Sequence, residues 1–224
     1  MERSREQQFE CTEGDWQPTA HGRLLGDVLQ RQRLVRGKDV LELGAGVGNH
    51  TVLLVRGGAR HIVATEITED RLETTRRNVE RLCGKDAPVE YRVADWLRTT
   101  GKFDLVVTNP PFAKSGKRNR RYFLDKLILD SFRRLKPEGE LLFVQSSMAD
   151  LNLSMQMMLR NGYEPRILAQ REEPWREYYF EDPRFLLEAE EVEGGYDERD
   201  GQRFEILSVL HGRLRSWSPP AFAH

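Results

Sequence analysis

The chain has 224 residues, enough for one domain with a sizeable buried core. Its 35 Lys plus Arg balance 36 Asp plus Glu, so a net charge of -1 gives no global attraction to nucleic acid, and a charged fraction of 32% suits solvated helix faces. The first ten residues are polar without a secretory pattern, no apolar run approaches the ~20 residues of a membrane span, and Cys11 and Cys83 stand alone, so a reducing cytoplasm with no membrane contact is expected.

In chain order, residues 1–15 are polar and read as a flexible segment ahead of one domain over 16–224. Trp16-Gln17-Pro18-Thr19 leads into a helix with Leu24, Leu25, Val28 and Leu29 on one face. Asp39 to Leu43 reads as a first strand, Asn49 to Arg56 as a short helix stopped by Gly57-Gly58, and His61 to Thr65 as a second strand tipped by Glu66. Thr68 is a good N-cap, followed by Glu69 and Asp70 where the helix dipole favours acids. Leu72, Thr75, Val79 and Leu82 continue that helix at its natural spacing, to Gly84. Val89 to Val93 and Phe103 to Thr108 read as strands three and four. Tyr122 to Leu135 is predicted as a helix closed by Lys136-Pro137-Glu138-Gly139, Glu140 to Gln145 as strand five, and Leu151 to Arg160 as a helix ending near Gly162. Arg166 to Gln170 and Phe204 to Leu210 complete a set of seven strands. The acidic, aromatic stretch at about 171–202 is expected to be an insertion or lid.

Strands alternating with helices imply right-handed crossovers and an α/β Rossmann-like fold, a mostly parallel seven-stranded sheet with helices on both faces. Ligands of such sheets sit at the carboxyl ends of the strands. Gly44 to Gly48, Glu66, Asp95 and Asn109 all fall at such ends, so one shared edge is the expected site.

Glu42-Leu43-Gly44-Ala45-Gly46-Val47-Gly48 is a turn that lets the backbone approach a ligand, and G-x-G-x-G differs from the G-x-G-x-x-G of dinucleotide sites. Glu66 lies 22 positions after Gly44 (66 − 44), where an acid accepts hydrogen bonds from ribose hydroxyls. Asp95 suits an adenine amino group or simply turns the chain; Trp96 flanks the adenine or fills core. Ala45 and Ile67, beside the glycines and Glu66, complete the expected cofactor set with Asn109.

Asn109-Pro110-Pro111-Phe112 is the sharper signal. The Asn109 side-chain oxygen and the Pro110 carbonyl can each accept one N–H of a planar nitrogen and aim its lone pair, while Phe112 stacks on a flat group and the prolines fix the backbone. Alignment of reactants then does most of the work. Turn and loop together suggest S-adenosylmethionine and methyl transfer to nitrogen.

On these motifs the chain resembles the class I S-adenosylmethionine-dependent methyltransferases, within them the N-methylating branch with a D/N/S-P-P-Y/F/W loop. It is most similar to single-domain HemK/PrmC-type glutamine methyltransferases. Trp16 to Thr19 before a Leu-rich helix, and Arg121 to Gly139 after the loop, also fit that group. The resemblance implies that Gly44, Gly46 and Glu42 hold the methionine end, Glu66 the ribose and Asp95 the adenine. Asn109, Pro110 and Phe112 would be catalytic, and Trp16, Thr19, Tyr178 and Tyr179 would meet substrate. It further implies a protein glutamine side chain or a small-molecule amine as acceptor, with an activator subunit as a further partner. No separate N-terminal helical domain is expected, and Phe112 stands where Tyr is usual. The basic run Lys114, Lys117, Arg118, Arg120 and Arg121 keeps adenine or guanine of nucleic acid as a third acceptor. Against phosphate stands the acidic, aromatic 173–182 stretch, which could instead close over a small substrate. A cofactor-binding scaffold without turnover is the reading from a different class. The five histidines show no metal-ligand spacing, so no metal is expected.

Overall fold

The computed structural model describes residues 9, 19–31, 33–112 and 119–215. Trp16 and the basic Lys114, Lys117 and Arg118 lie outside them, as does Cys11. Helix α1 (Ala20–Arg31) precedes β1 (Asp39–Leu43), α2 (Asn49–Arg56), β2 (His61–Glu66), α3 (Glu69–Cys83), β3 (Val89–Val93), β4 (Phe103–Thr108) and α4 (Tyr122–Asp130). Then follow β5 (Leu135–Ser146), α5 (Leu151–Arg160), β6 (Tyr163–Pro174), α6 (Pro183–Glu190), β7 (Asp197–Arg199) and β8 (Gln202–Leu214).

The sheet runs β3-β2-β1-β4-β5-β8-β6, seven strands, and β7 adds an eighth by pairing β8. β1 to β5 pair in parallel, while β8 is antiparallel to both β5 and β6. The central strands are apolar on both sides, as a doubly covered parallel sheet requires. Val40, Leu105, Val107, Leu142 and Val144 face α1 and α2 with Leu25, Leu29 and Leu54. The alternate residues Leu41, Leu43, Val106, Leu141 and Phe143 face α4 and α5 with Leu124, Ile128 and Met158. The parallel register, Leu43 beside Thr65 and Thr108, lines up the carboxyl ends of β1, β2 and β4.

Four boundaries differ from the sequence expectation. The helix expected to run to Leu135 ends at Asp130, and Ser131–Arg134 tightens into a 3-10 turn. Leu135 instead pairs with Phe103 and starts β5; the Pro137-Glu138-Gly139 stop signal is an irregularity inside that strand, with Glu138 at φ 62°. β6 and β8 are each longer than the apolar runs that announced them. The polar 171–174 end of β6 pairs with the apolar run of β8, Glu172 with Ile206 and Pro174 with Phe204, while Gln202 and Arg203 of β8 pair with β7, so ladder hydrogen bonds extend both strands beyond what side-chain pattern shows.

The expected insertion begins as this two-stranded extension. Asp182 caps α6 by accepting from the Arg184 and Phe185 backbone N–H groups, and Pro183 occupies the first turn. An Asp200-Gly201 hairpin, φ 51° and 73°, joins β7 to β8. Trp175, Tyr179, Phe185, Ala189 and Met148 form its own small core, against which Phe112 packs.

Candidate active site

A cleft of about 420 Å³ opens at the carboxyl ends of the strands. Gly44, Ala45, Gly46, Glu66, Ile67, Asp95, Trp96, Asn109, Pro110 and Phe112 all line it, so the sequence-predicted residues meet in one place. Thr19, Tyr178 and Tyr179 line it too. Glu42 does not: it lies buried behind the turn.

The turn is shaped by glycine and held from behind by α3. Gly44 and Gly46 sit at φ 71° and 58°, and a Cβ on either would meet nothing within 4 Å, so both leave backbone open to the cleft. Gly48, at φ 86°, serves packing instead, since a Cβ there would stand 3.2 Å from Thr75. Thr75 Oγ1 donates to the Gly46 carbonyl at 2.6 Å and Asn78 Nδ2 to the Val47 carbonyl at 2.9 Å. The Gly46 N–H donates to Glu66 Oε1 at 2.8 Å, and the Ile67 N–H to Glu66 Oε2 at 3.1 Å. Each carboxylate oxygen thus keeps a lone pair for a further donor.

Glu42 is 1% exposed. Thr51 Oγ1 donates to its Oε2 at 2.6 Å, while Oε1 is buried without a hydrogen-bond partner. Burial raises its pKa from 4.5 to about 8, the Glu66 charge adds to the rise, and Thr51 opposes it. Asp95 is largely exposed, 3.8 Å from Arg98. Trp96 adopts φ 52° and packs edge-on against Phe123, 5.1 Å between centroids, with its Nε1 buried and unpartnered. It therefore does both things the sequence allowed: it fills core and lines the cleft.

Thr108 Oγ1 donates to the Leu43 carbonyl at 2.8 Å, tying the start of the Asn109 loop to the start of the glycine turn. On the other side α1 comes close: a Cβ on Gly22 would stand 3.7 Å from both Asn109 Nδ2 and His50 Nε2. His50 Nε2 donates to the Gly22 carbonyl at 2.8 Å, and burial lowers its pKa, so it is a neutral strut. Thr19 caps α1, accepting from the Gly22 N–H at 3.2 Å. Phe112 meets Phe185 of α6 edge-on at 6.1 Å, so this ring is shared between the cleft wall and the small Trp175–Phe185 core. Tyr179 is 2% exposed and spends its hydroxyl on Glu205 Oε1 at 2.9 Å, away from any ligand in the cleft.

Sequence reasoning missed His21, Gly22, Asn49, His50, Arg71 and Arg176 as lining residues. Arg176 Nη2 donates to His21 Nδ1 at 2.7 Å across 155 positions of chain, and no local pattern announces such a pair.

A nucleoside with a charged amino-acid tail needs open glycine backbone, an acid with free lone pairs for its diol, and an acid near its ammonium group. Gly44, Gly46 and Glu66 offer the first two of these at the cleft, while Glu42 stands buried behind the turn. The family model described as "Methyltransferase small domain" matches residues 20–168. The chain belongs to the methyltransferase small domain family. It is an S-adenosylmethionine-dependent methyltransferase. A Methanocaldococcus jannaschii protein, provisionally named a protein N5-glutamine methyltransferase, is 26% identical over 64% of this chain and 79% of its own length. A ribosomal RNA large subunit methyltransferase K/L of Alteromonas mediterranea is 30% identical over 49% of this chain, but only 17% of its own length. The ribosomal protein L11 methylase structure from Lactobacillus delbrueckii shares the fold, with TM-score 0.57 and 18% identity over 88% of this chain and 82% of that one. Among the described residues no helix is long and apolar enough to cross a membrane, and no cluster of metal-binding side chains occurs.

Proposed function

We propose that this methyltransferase delivers its methyl group to a planar nitrogen, in the manner of the HemK-like enzymes, with an amide as the first acceptor and a small-molecule amine as the second. S-adenosylmethionine supplies the electrophilic methyl carbon on a sulfonium. The chain's own residues do the rest. Glu66 takes the ribose hydroxyls, Asp95 and Trp96 the adenine, and Gly44 to Gly46 the amino-acid end, with Glu42 supporting that turn from behind. The Asn109 amide oxygen and the Pro110 carbonyl accept the two N–H bonds of the acceptor and leave its lone pair facing the donor. The thioether leaves as neutral S-adenosylhomocysteine, and the nitrogen, cationic once the C–N bond has formed, releases one proton to solvent, so no strong base is required.

The observation that carries the reading is that Asn109 and Pro110 line the same cleft as the glycine turn and Glu66. The N5-glutamine relative, matched over most of its length, favours an amide. Incubating the protein and a cell extract with methyl-labelled cofactor tests it. The expected outcome is label on nitrogen, lost with Asn109→Ala. Label on carbon or oxygen, or labelling indifferent to Asn109, refutes the reading.

A further inference from the structure

Arg176 is the one guanidinium on the lid side of the cleft among the described lining residues. It sits half-buried just before the short 3-10 turn Glu177–Tyr179. Its Nη1 donates to Tyr178 Oη at 3.0 Å, its Nη2 to His21 Nδ1 at 2.7 Å, and its charge lies over the Tyr178 and Tyr179 rings at 5.8 and 6.0 Å. A guanidinium cannot accept, so His21 must carry its proton on Nε2. Burial, then the Arg176 charge, pushes the pKa of His21 down to about 3, so the imidazole adds no second charge.

The nearby acid, Glu205, makes no direct contact with the Arg176 guanidinium. Glu205 is buried and its Oε1 accepts from Tyr179; burial raises its pKa, and hydrogen bonds and the Arg176 charge, acting through space, oppose that rise. Among the described residues no carboxylate stands within 4.0 Å of the Arg176 guanidinium nitrogens. A planar cation is therefore held by two neutral partners and two ring faces, with N–H groups to spare, in the cleft that Asn109 also lines. Such a fork fits a carboxylate bidentately. It also disfavours a cationic acceptor, and a cationic donor alone gives no reason to place a second positive charge there.

We infer that the acceptor end of the cleft is an anion subsite, in which Arg176 receives a carboxylate lying a few bonds from the methylated nitrogen. This deepens the nitrogen-methylation reading and rests on it. The acceptor class is then a small amide or amine acid. His21 and Tyr178 are positioning residues that fix the guanidinium plane.

The test pairs N-acetylglutamine with N-acetylglutaminamide, which offer the same amide and differ by the carboxylate. Each is titrated calorimetrically into protein saturated with S-adenosylhomocysteine. The acid is expected to bind at least about tenfold more tightly than the neutral amide, with the preference lost in Arg176→Gln and partly kept in Arg176→Lys. S-adenosylhomocysteine affinity should change by less than about threefold in either variant, which also reports that both are folded. Equal binding of the two probes, no binding of the acid, or an unchanged preference in Arg176→Gln overturns the inference. So does loss of S-adenosylhomocysteine binding in Arg176→Gln with 5′-methylthioadenosine binding kept, because the carboxylate would then be the donor's own. An Arg176-dependent acid preference without methyl passing to nitrogen would leave the subsite standing and refute the nitrogen reading instead.

Discussion

The Gly46 N–H donates to Glu66 Oε1 at 2.8 Å, joining the turn after β1 to the acid at the tip of β2. The acid proposed to take the ribose is therefore aimed by the same backbone that makes the turn. Glu66→Ala should remove both functions. A hydrogen bond to a charged group contributes about 1.5–3 kcal/mol, so affinity for S-adenosylhomocysteine should fall by roughly tenfold or more in titration calorimetry. An affinity within error of the parent would separate Glu66 from the cofactor.

Gly46→Val should be more severe. It forces a β-branched residue to φ 58° and projects a side chain into the open cleft. The left-handed backbone costs about 1–2 kcal/mol for a residue with a Cβ, and the added volume excludes ligand directly. The melting temperature should drop modestly while cofactor binding disappears.

Glu42 sets a pH dependence. Its carboxyl is raised from 4.5 to about 8, so over that interval the unfolded chain has released a proton that the folded chain keeps. The folded state binds more protons there, and this group's contribution to stability falls as pH rises from about 4.5 to about 8. Glu42→Gln should flatten that slope in chemical denaturation curves taken across the window. Parallel curves for parent and variant would show Glu42 ionised throughout.

Helix α6 and its cap are clamped to the chain that follows the Asn109 loop. Arg120 Nη2 lies 2.6 Å from Asp182, its Nε 2.8 Å from Glu188, and its charge 4.9 Å above the Phe185 ring. Phe185 is 1% exposed in the lid core, so Phe185→Ala should cost about 3–5 kcal/mol locally. Amide hydrogen exchange should speed up across residues 177–199 and stay unchanged in β1 and β4. Turnover should fall with it, because Phe112 loses its neighbour.

What the sequence disclosed follows from which forces are local. β1, β2 and β4 are apolar on both faces, and Gly44, Gly46, Glu66 and Asn109 stand at their ends, so strand pattern and turn chemistry together located the cleft. The polar end of β6 becomes strand only by pairing with the apolar run of β8, and the polar start of β8 only by pairing with β7, information that side-chain period does not contain. Glu42 was placed beside the cofactor but lies behind the turn, since a residue inside β1 is buried whatever its charge. Arg176 and His21 were illegible for another reason: their pairing is made by the fold bringing the lid over α1. Tyr179 looked like a ligand-facing aromatic, yet its hydroxyl is turned to Glu205 by a buried acid on a strand that the sequence did not link to it.

A crystal structure of the protein with S-adenosylhomocysteine would test the central claim, that glycine turn and Asn109 loop serve one reaction, most directly. The account predicts the ribose on Glu66 and the sulfur turned toward Asn109, so that a methyl carbon there would stand about 3–3.5 Å from a nitrogen held by Asn109 and Pro110. Ligand bound elsewhere, or its sulfur facing away from Asn109, would contradict it.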